Sequence, residues 1–272
     1  MFLGLKQDFE NQHATPLEVL EHQWSVVKSG DQWHLISNVC PHQYSKILRE
    51  SGSALVCPYH GFAFDLDGLG INNQCKLQRR SCFVNGDIIF DQPVARHFPV
   101  DLSHFNLVAH RCDPVRAPVP IIMDVFLDID HIAVAHPGVY DSIGIIDTSA
   151  ITYNTFYGGS IQLVPVQDNG HMIDDDKRLG IGACWMAVYP GTMIEWQPGA
   201  LFVTVALSDH VGSKVYVYQY RDSRYQDSDW ANNVTTWETA WQQDRALSEN
   251  IVRLGNTNLD ALKQHHRNFY AQ

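Results

Sequence analysis

No stretch of this 272-residue chain reaches the roughly 20 consecutive apolar residues that span a bilayer, so no membrane helix and no membrane partner are expected. The segment from Met1 to His13 lacks the basic start, long apolar stretch and small-residue cleavage site of a secretory signal. A cytoplasmic, reducing compartment is the expectation. Basic residues are scarce: 19 Lys and Arg stand against 30 Asp and Glu, for a formal charge of −11. No Arg/Lys patch is dense enough to displace phosphate counterions, so no nucleic-acid partner is expected, whereas a cationic substrate or a basic redox partner suits the charge. The six cysteines are too sparse for a small secreted disulfide scaffold. Neither Gly158-Gly159 nor Gly180-Ile181-Gly182 has the spacing of a dinucleotide-binding turn, so a nicotinamide cofactor is expected to act only through another protein. Internal repeats and low-complexity tracts are also absent.

What is present points to two domains, which is the prior for this length. In the first hundred residues Trp24 to Val27, Trp33 to Ile36 and Leu55 to Val56 are short β-like runs. The Asp65-Leu66-Asp67-Gly68 turn and the Asn85-Gly86-Asp87 return before Ile88-Ile89-Phe90 complete the pattern of a small β domain. The segment from Arg111 to Pro120, with prolines at 114, 118 and 120, is expected to lack regular structure and to lead into a second domain. Helical character follows in Ile122 to Ala135. Strand-like runs at Ile143 to Val166, Ala183 to Tyr189, Met193 to Trp196, Leu201 to Leu207 and Lys214 to Tyr220 then predict a sizeable antiparallel sheet. Near the end, Thr235 with Glu238 is a candidate helix start and Gly255 a candidate stop.

Two cysteines sit beside histidines, in Cys40-Pro41-His42 and Cys57-Pro58-Tyr59-His60, with fourteen residues between His42 and Cys57. Thiolates and imidazoles suit iron or zinc. Two of each hold either a zinc ion or a [2Fe–2S] cluster bound through sulfur on one iron and nitrogen on the other, and spacing alone leaves both open.

A second concentration of ligand types is Asp128, His131 and His136. Asp124, Asp128 and His131 stand at i, i+4 and i+7 and would share one face of a regular helix, with His136 about 140° away from His131. For both histidines to reach one ion the helix must loosen, distort or end between them, and Pro137-Gly138 supplies an ending. The ordinary alternative is a pair of surface histidines near a helix end. Further on, Trp237, Trp241 and Asp244 share a helix face by the same spacing, continued by Leu247 and Ile251. An acid on such a face is costly to bury unless paired or bound to metal. Asp244 is thus a candidate third ligand for an iron held by two histidines and one carboxylate, an ordinary Arg partner being the alternative.

In combination these motifs resemble the Rieske non-haem-iron oxygenases. The Cys-His pairs, with Gly61-Phe62, Phe64 and the Asp-Gly turn after the second, resemble the cluster loops of that family. Asp128, His131 and His136, Gln243-Asp244 followed by Arg245 to Glu249, and Tyr189-Pro190-Gly191-Thr192 with the run ending at Trp196 resemble its catalytic domain. The likeness runs from about Trp24 to Gly255. It implies an α+β fold: an N-terminal Rieske β domain over 1–108, then a catalytic domain over 109–272 with an antiparallel β-sheet flanked by helices. It implies a [2Fe–2S] cluster held by Cys40 and Cys57 on one iron and His42 and His60 on the other, and a mononuclear Fe(II) held by His131, His136 and Asp244. Asp128 would be the catalytic carboxylate linking His60 of one subunit to His131 of its neighbour in a homotrimer. The chain departs from the family in carrying Gln43-Tyr44 where Arg-Gly is common and Val125 where several members have Asn, and it is shorter than many of them.

The implied activity is that of a terminal oxygenase, which takes electrons from a separate NAD(P)H-dependent reductase or ferredoxin and uses O2 to hydroxylate or oxidatively demethylate a small organic substrate. Aromatic-ring cis-dihydroxylation is the alternative within that chemistry. Two other classes differ in what they require. A Rieske electron-transfer protein with an inactive second domain needs His131, His136 or Asp244 turned away from a common centre, and a zinc hydrolase needs zinc and no reducible cluster. Tyr153, Phe156, Tyr157, Trp185 and Trp196 are candidates either to line an apolar or aromatic pocket or to be ordinary core.

Overall fold

The computed structural model describes residues 1–47, 49–52, 54–139, 148–165, 172–251 and 261–270. The chain divides into two compact units, Phe2–Pro93 and Val94–Gln272, the latter joined by Met1. Residues 94–108, expected with the first domain, fall in the second. The reason is visible in the backbone: the strand Phe105–Val115 pairs along its length with Gly212–Asp222, from Phe105 opposite Asp222 to Val115 opposite Ser213.

Among the described residues the first unit has ten short strands: β1 (Phe2–Leu5), β2 (Ala14–Pro16), β3 (Trp24–Ser29), β4 (Gln32–Ser37), β5 (Arg49–Ser51), β6 (Ala54–Val56), β7 (Ala63–Phe64), β8 (Arg79–Ser81), β9 (Phe83–Asn85) and β10 (Ile88–Phe90). They form three antiparallel sheets, ordered β2-β3-β4-β8, β5-β6-β7 and β1-β10-β9. The expected Asp65 turn closes through Gly68 N–H to the Asp65 carbonyl, 2.9 Å, and Asp65 Oδ1 takes the N–H groups of Asp67 and Leu69. The β9–β10 return is a two-residue turn between Asn85 and Ile88, with Gly86 at φ 60, a conformation open to glycine at little cost. Ile36, Ile47, Leu55, Phe64 and Leu77 pack into one core with the side chains of Cys40 and Cys57 among them.

The second unit contains β11 (Phe105–Val115), α1 (Val119–Leu127), α2 (Ile132–Ala135), β12 (Thr152–Phe156), β13 (Gly159–Pro165), α3 (Asp174–Lys177), β14 (Ile181–Val188), β15 (Thr192–Gln197), β16 (Ala200–Asp209), β17 (Gly212–Asp222), α4 (Asp227–Asn250) and α5 (Ala261–Tyr270). Its sheet has seven antiparallel strands in the order β11-β17-β16-β15-β14-β13-β12, so the α+β architecture expected from the sequence is the one found. Alternation along the strands turns Trp185, Ala187, Met193, Phe202, Ala206, Val215 and Val217 into one core, shared with Ile122 and Met123 of α1 and Trp237 and Trp241 of α4.

Three local expectations are corrected. The proline-bearing segment 111–120 is regular: Pro114 lies in β11, an edge strand whose outer side needs no donor, and Pro118 and Pro120 begin α1, where a missing N–H costs little. Thr235 does not start the last long helix. That helix begins at Asp227, with Gln226 and Asp229 bonding reciprocally and acids in the first turn, while Thr235 sits inside and bonds the Ala231 carbonyl at 2.8 Å. The helical stretch through Ala135 is two pieces, because the chain leaves the helical region at Asp128, φ −82 and ψ 98. The expected stop at Gly255 lies outside the described residues.

Candidate metal centres

In the first unit Cys40 and Cys57 head two loops of matching construction. The Cys40 N–H bonds the Ser45 carbonyl and the Tyr44 N–H bonds the Cys40 carbonyl, both at 2.9 Å; the Cys57 N–H bonds the Phe62 carbonyl at 2.8 Å and the Gly61 N–H the Cys57 carbonyl at 3.0 Å. Each loop turns at the fourth residue after the cysteine, through a left-handed conformation at φ 54 for Tyr44 and φ 69 for Gly61. Gly61 suits that geometry. Tyr44, standing where the resemblance expects glycine, holds it at a steric cost.

The two thiols are buried and hydrogen-bonded to each other, with the N–H groups of His42 and Gln43 aimed at one sulfur and those of Tyr59 and His60 at the other. Burial pushes both thiols up. At Cys57 the converging N–H groups outweigh it and hold the thiol below its usual value, while Cys40, with burial dominant and the second thiol alongside, stays above. His42 and His60 are exposed, their ring centroids 4.9 Å apart, with Phe62 stacked on His42 and Tyr59 against His60. A pair of buried sulfurs ringed by amide donors, beside a pair of adjacent imidazoles at the surface, suits a cluster with one sulfur-held and one nitrogen-held iron.

In the second unit His131, His136 and Asp244 bring donor atoms within 4.8 Å of one another. α2 is only a short turn, with His131 at its start and His136 at its end, where the backbone leaves the helical region at φ −122 and ψ 51. That lets residues five apart face the same point. Asp244 arrives from α4, which Trp237 and Trp241 anchor by stacking, Trp237 on Phe202 at 4.8 Å and on Trp241 at 6.2 Å.

The edges of the triangle are 3.1 Å between the two Nε2 atoms and 3.0 and 2.9 Å from these to Asp244 Oδ1. Donors on one face of an octahedron with bonds of about 2.1 Å lie about 3.0 Å apart, so the spacing suits an ion held on one face with the opposite face open. Both Nδ1 atoms meet pure acceptors: the Asp128 carbonyl for His131, and Gln243 Oε1 for His136 at 2.7 Å. Each ring must therefore carry its proton on Nδ1, leaving the Nε2 lone pair free to converge with Asp244. Burial disfavours charge on His131, but the Asp244 carboxylate and the Asp128 carbonyl outweigh it and raise its pKa. Burial pushes Asp244 up, and the two imidazoles outweigh that and lower it.

Asp128 contacts His131 through its main-chain carbonyl, whereas the sequence pointed to its carboxylate. The helix ends at that residue, which aims its carbonyl at the ring, and the carboxylate meets Lys263 Nζ of α5 at 2.5 Å. Beside the triad is a small cavity, about 30 Å³, lined by Phe126, Ile132, Trp185, Met193 and Glu195. Of the five aromatics put forward as pocket candidates only Trp185 is among these. Tyr153 and Tyr157 are exposed, and Trp196, on the alternate side of β15 from Met193 and Glu195, is fully buried.

Three residues escaped the sequence reading. Gln243 carried a signal, since it directly precedes Asp244 in a helix. Glu195 carried a fainter one, a lone acid in a strand of otherwise buried residues. Lys263 carried none, because only the packing of α5 on α1 brings it to Asp128.

A model of the Rieske [2Fe-2S] domain matches residues 1–83. The carnitine monooxygenase oxygenase subunit of Acinetobacter pittii (strain PHEA-2) is 26% identical over 219 residues, 67% of this chain and 57% of that protein. The methylxanthine N1-demethylase NdmA of Pseudomonas putida is 24% identical over 156 residues, 48% of this chain and 44% of that protein. Among solved structures, a quaternary ammonium Rieske monooxygenase described for carnitine oxidation and inter-subunit electron transfer aligns with TM-score 0.65 at 17% identity, over 90% of this chain and 73% of that one. The first unit thus carries a Rieske [2Fe–2S] domain, and the fold of the whole is that of the Rieske oxygenases. Residues 1–83 match the Rieske domain family, and over most of its length the chain resembles the Rieske oxygenases in fold. It spans 57% of the length of the carnitine monooxygenase subunit that it resembles. No helix among the described residues is long and apolar enough to cross a membrane.

Proposed function

We propose that this chain is the terminal oxygenase of a Rieske non-haem-iron system, acting on a small organic substrate by hydroxylation or oxidative demethylation. In this reading the N-terminal unit holds the [2Fe–2S] cluster through Cys40, Cys57, His42 and His60, and the second unit holds one Fe(II) through His131, His136 and Asp244. When bound, the cluster supplies single electrons and the iron supplies activation of O2.

The protein's own contribution is positional. Cys40 and Cys57 hold sulfur in a dry core, while His42 and His60 stay at the surface, where a separate NAD(P)H-dependent reductase or ferredoxin can approach. The Asp128 carbonyl and Gln243 hold the protons of His131 and His136 on Nδ1, so that both rings offer Nε2 to one ion. Phe126, Ile132, Trp185 and Met193 give the substrate an apolar chamber beside it. Asp128 is assigned the carboxylate link from His131 to His60 of a neighbouring chain in a homotrimer, which requires its pairing with Lys263 to be shared or exchanged on assembly. Monooxygenation is favoured because the relatives' names describe a monooxygenase and a demethylase.

The observation that carries the proposal is the convergence of two imidazole nitrogens and one carboxylate oxygen with edges near 3 Å. Metal and acid-labile sulfide analysis tests it first, with about three iron and two sulfide per chain expected. Zinc in place of iron, or a cluster without the third iron, would overturn it. Oxygen-dependent product formation with a reductase and methylated amines then tests the activity.

A further inference from the structure

Among the described residues, the cavity beside the triad is lined by one charged side chain besides the triad's own. Glu195 stands on β15 in register with Trp185 of β14 on one side and Phe202 of β16 on the other, and it shares its side of the strand with Met193. Its carboxylate accepts the Trp237 indole N–H, and among the described residues no Lys or Arg pairs with it. It is not one of the three side chains whose donor atoms gather within 4.8 Å.

A carboxylate among Phe126, Ile132, Trp185 and Met193 is costly without a compensating charge, and a methionine or leucine would fit an apolar chamber at no such cost. A substrate cation seated in this chamber would supply compensating charge, beside what Fe(II) at the triad contributes on the oxygenase reading. The aromatic faces of Phe126 and Trp185 on its walls favour a cation over a neutral group of equal shape. The two relatives named above act on different chemistries, one on a quaternary ammonium compound and one on a methylxanthine, which carries no such cation.

On the oxygenase reading, we propose that Glu195 recognises an organic ammonium group of the substrate, seated against Trp185 and Phe126. Primary and quaternary ammonium share the charge that Glu195 answers, and only a primary one also donates a hydrogen bond to it.

The test is anaerobic calorimetric binding to the metal-loaded protein with choline, 1,4-diaminobutane, caffeine, and 3,3-dimethylbutan-1-ol, the uncharged shape-match of choline. Wild type is expected to bind choline or 1,4-diaminobutane at least about tenfold tighter than the neutral alcohol. Glu195→Gln, which keeps an acceptor for the Trp237 N–H, is expected to reduce that preference to about twofold or less. Its metal content and its affinity for the neutral alcohol should be unchanged, which also reports that it is folded; Glu195→Met should behave alike. The ratio of choline to diaminobutane affinity distinguishes the two kinds of ammonium. Equal binding of alcohol and cation by wild type, preference for caffeine, binding of neither cation, a cation preference that survives Glu195→Gln, or iron lost from the variant would each overturn the assignment. Because the readout is binding, a protein that forms no oxygenated product yet loses its cation preference in Glu195→Gln would refute the oxygenase reading and leave this one standing.

Discussion

Gln243 is placed to govern metal binding without giving a donor atom to the triad. Its Oε1 holds the proton of His136 on Nδ1, and without that acceptor the ring is free to rotate or to carry the proton on Nε2. Gln243→Leu should weaken metal affinity by about 10- to 100-fold in a chelator competition, while Gln243→Glu, which keeps an acceptor, should remain near wild type. The protons at this centre also set a pH dependence whose sign differs between loaded and metal-free protein. Without metal, the His131 pKa is held above the ordinary 6.5, so the stability it contributes is complete below 6.5 and fades as pH rises through the folded value. Asp244 is held below the ordinary 3.8, so its contribution is complete above 3.8 and is lost as pH falls through its lower folded value. The metal-free chain should therefore melt higher at pH 5.5 than at pH 8. The loaded protein should lose metal over the same acidification, because protons compete for Nε2. Thermal melts of loaded and chelator-treated protein at the two pH values check both signs.

At the scale of elements, the second centre depends on where α4 lies. Arg111 of β11 meets Glu238 of α4 with two bonds, 2.6 and 2.9 Å, Gln219 of β17 bonds the same carboxylate at 2.6 Å, and Asp113 takes the Trp241 indole N–H at 2.9 Å. These bonds hold the edge of the sheet to the helix one to two turns before Asp244. Glu238→Ala should cost about 1 kcal/mol in denaturant titration, since it removes two bonds of a guanidinium that then keeps only Asp113. Metal affinity should fall with it as the helix gains freedom, whereas metal binding at wild-type strength would show that the Trp stack alone positions Asp244. The end of α2 works in the opposite sense. The backbone leaves the helical region at His136, φ −122 and ψ 51, which lets His131 and His136 share a centre that a continuous helix would keep on different faces.

For the whole molecule, Asp128 is the residue whose proposed role extends beyond one chain. Its carboxylate is not one of the triad's donor atoms, so Asp128→Asn should retain both iron centres, and reductase-coupled product formation should fall by at least about tenfold through loss of the charged link between them. Full activity in a variant with both centres intact would remove the inter-subunit link from the mechanism. The two Cys-His loops were readable in the sequence because each pair lies within four residues and is closed by local turns. The strands were readable where β-branched and aromatic residues alternate, as in Trp24 to Val27 and Met193 to Trp196. The start of α4 was not, because stacking on Phe202 overrides the weak local propensity around Thr235. The composition and spacing of this chain determined which residues are able to bind metal and which faces are apolar, since both follow from chemistry within a few residues of one another. Only the tertiary structure decided that Gln243 aligns His136, that Lys263 holds the Asp128 carboxylate and that Glu195 faces the cavity, because each contact joins elements whose approach is set by packing across the unit.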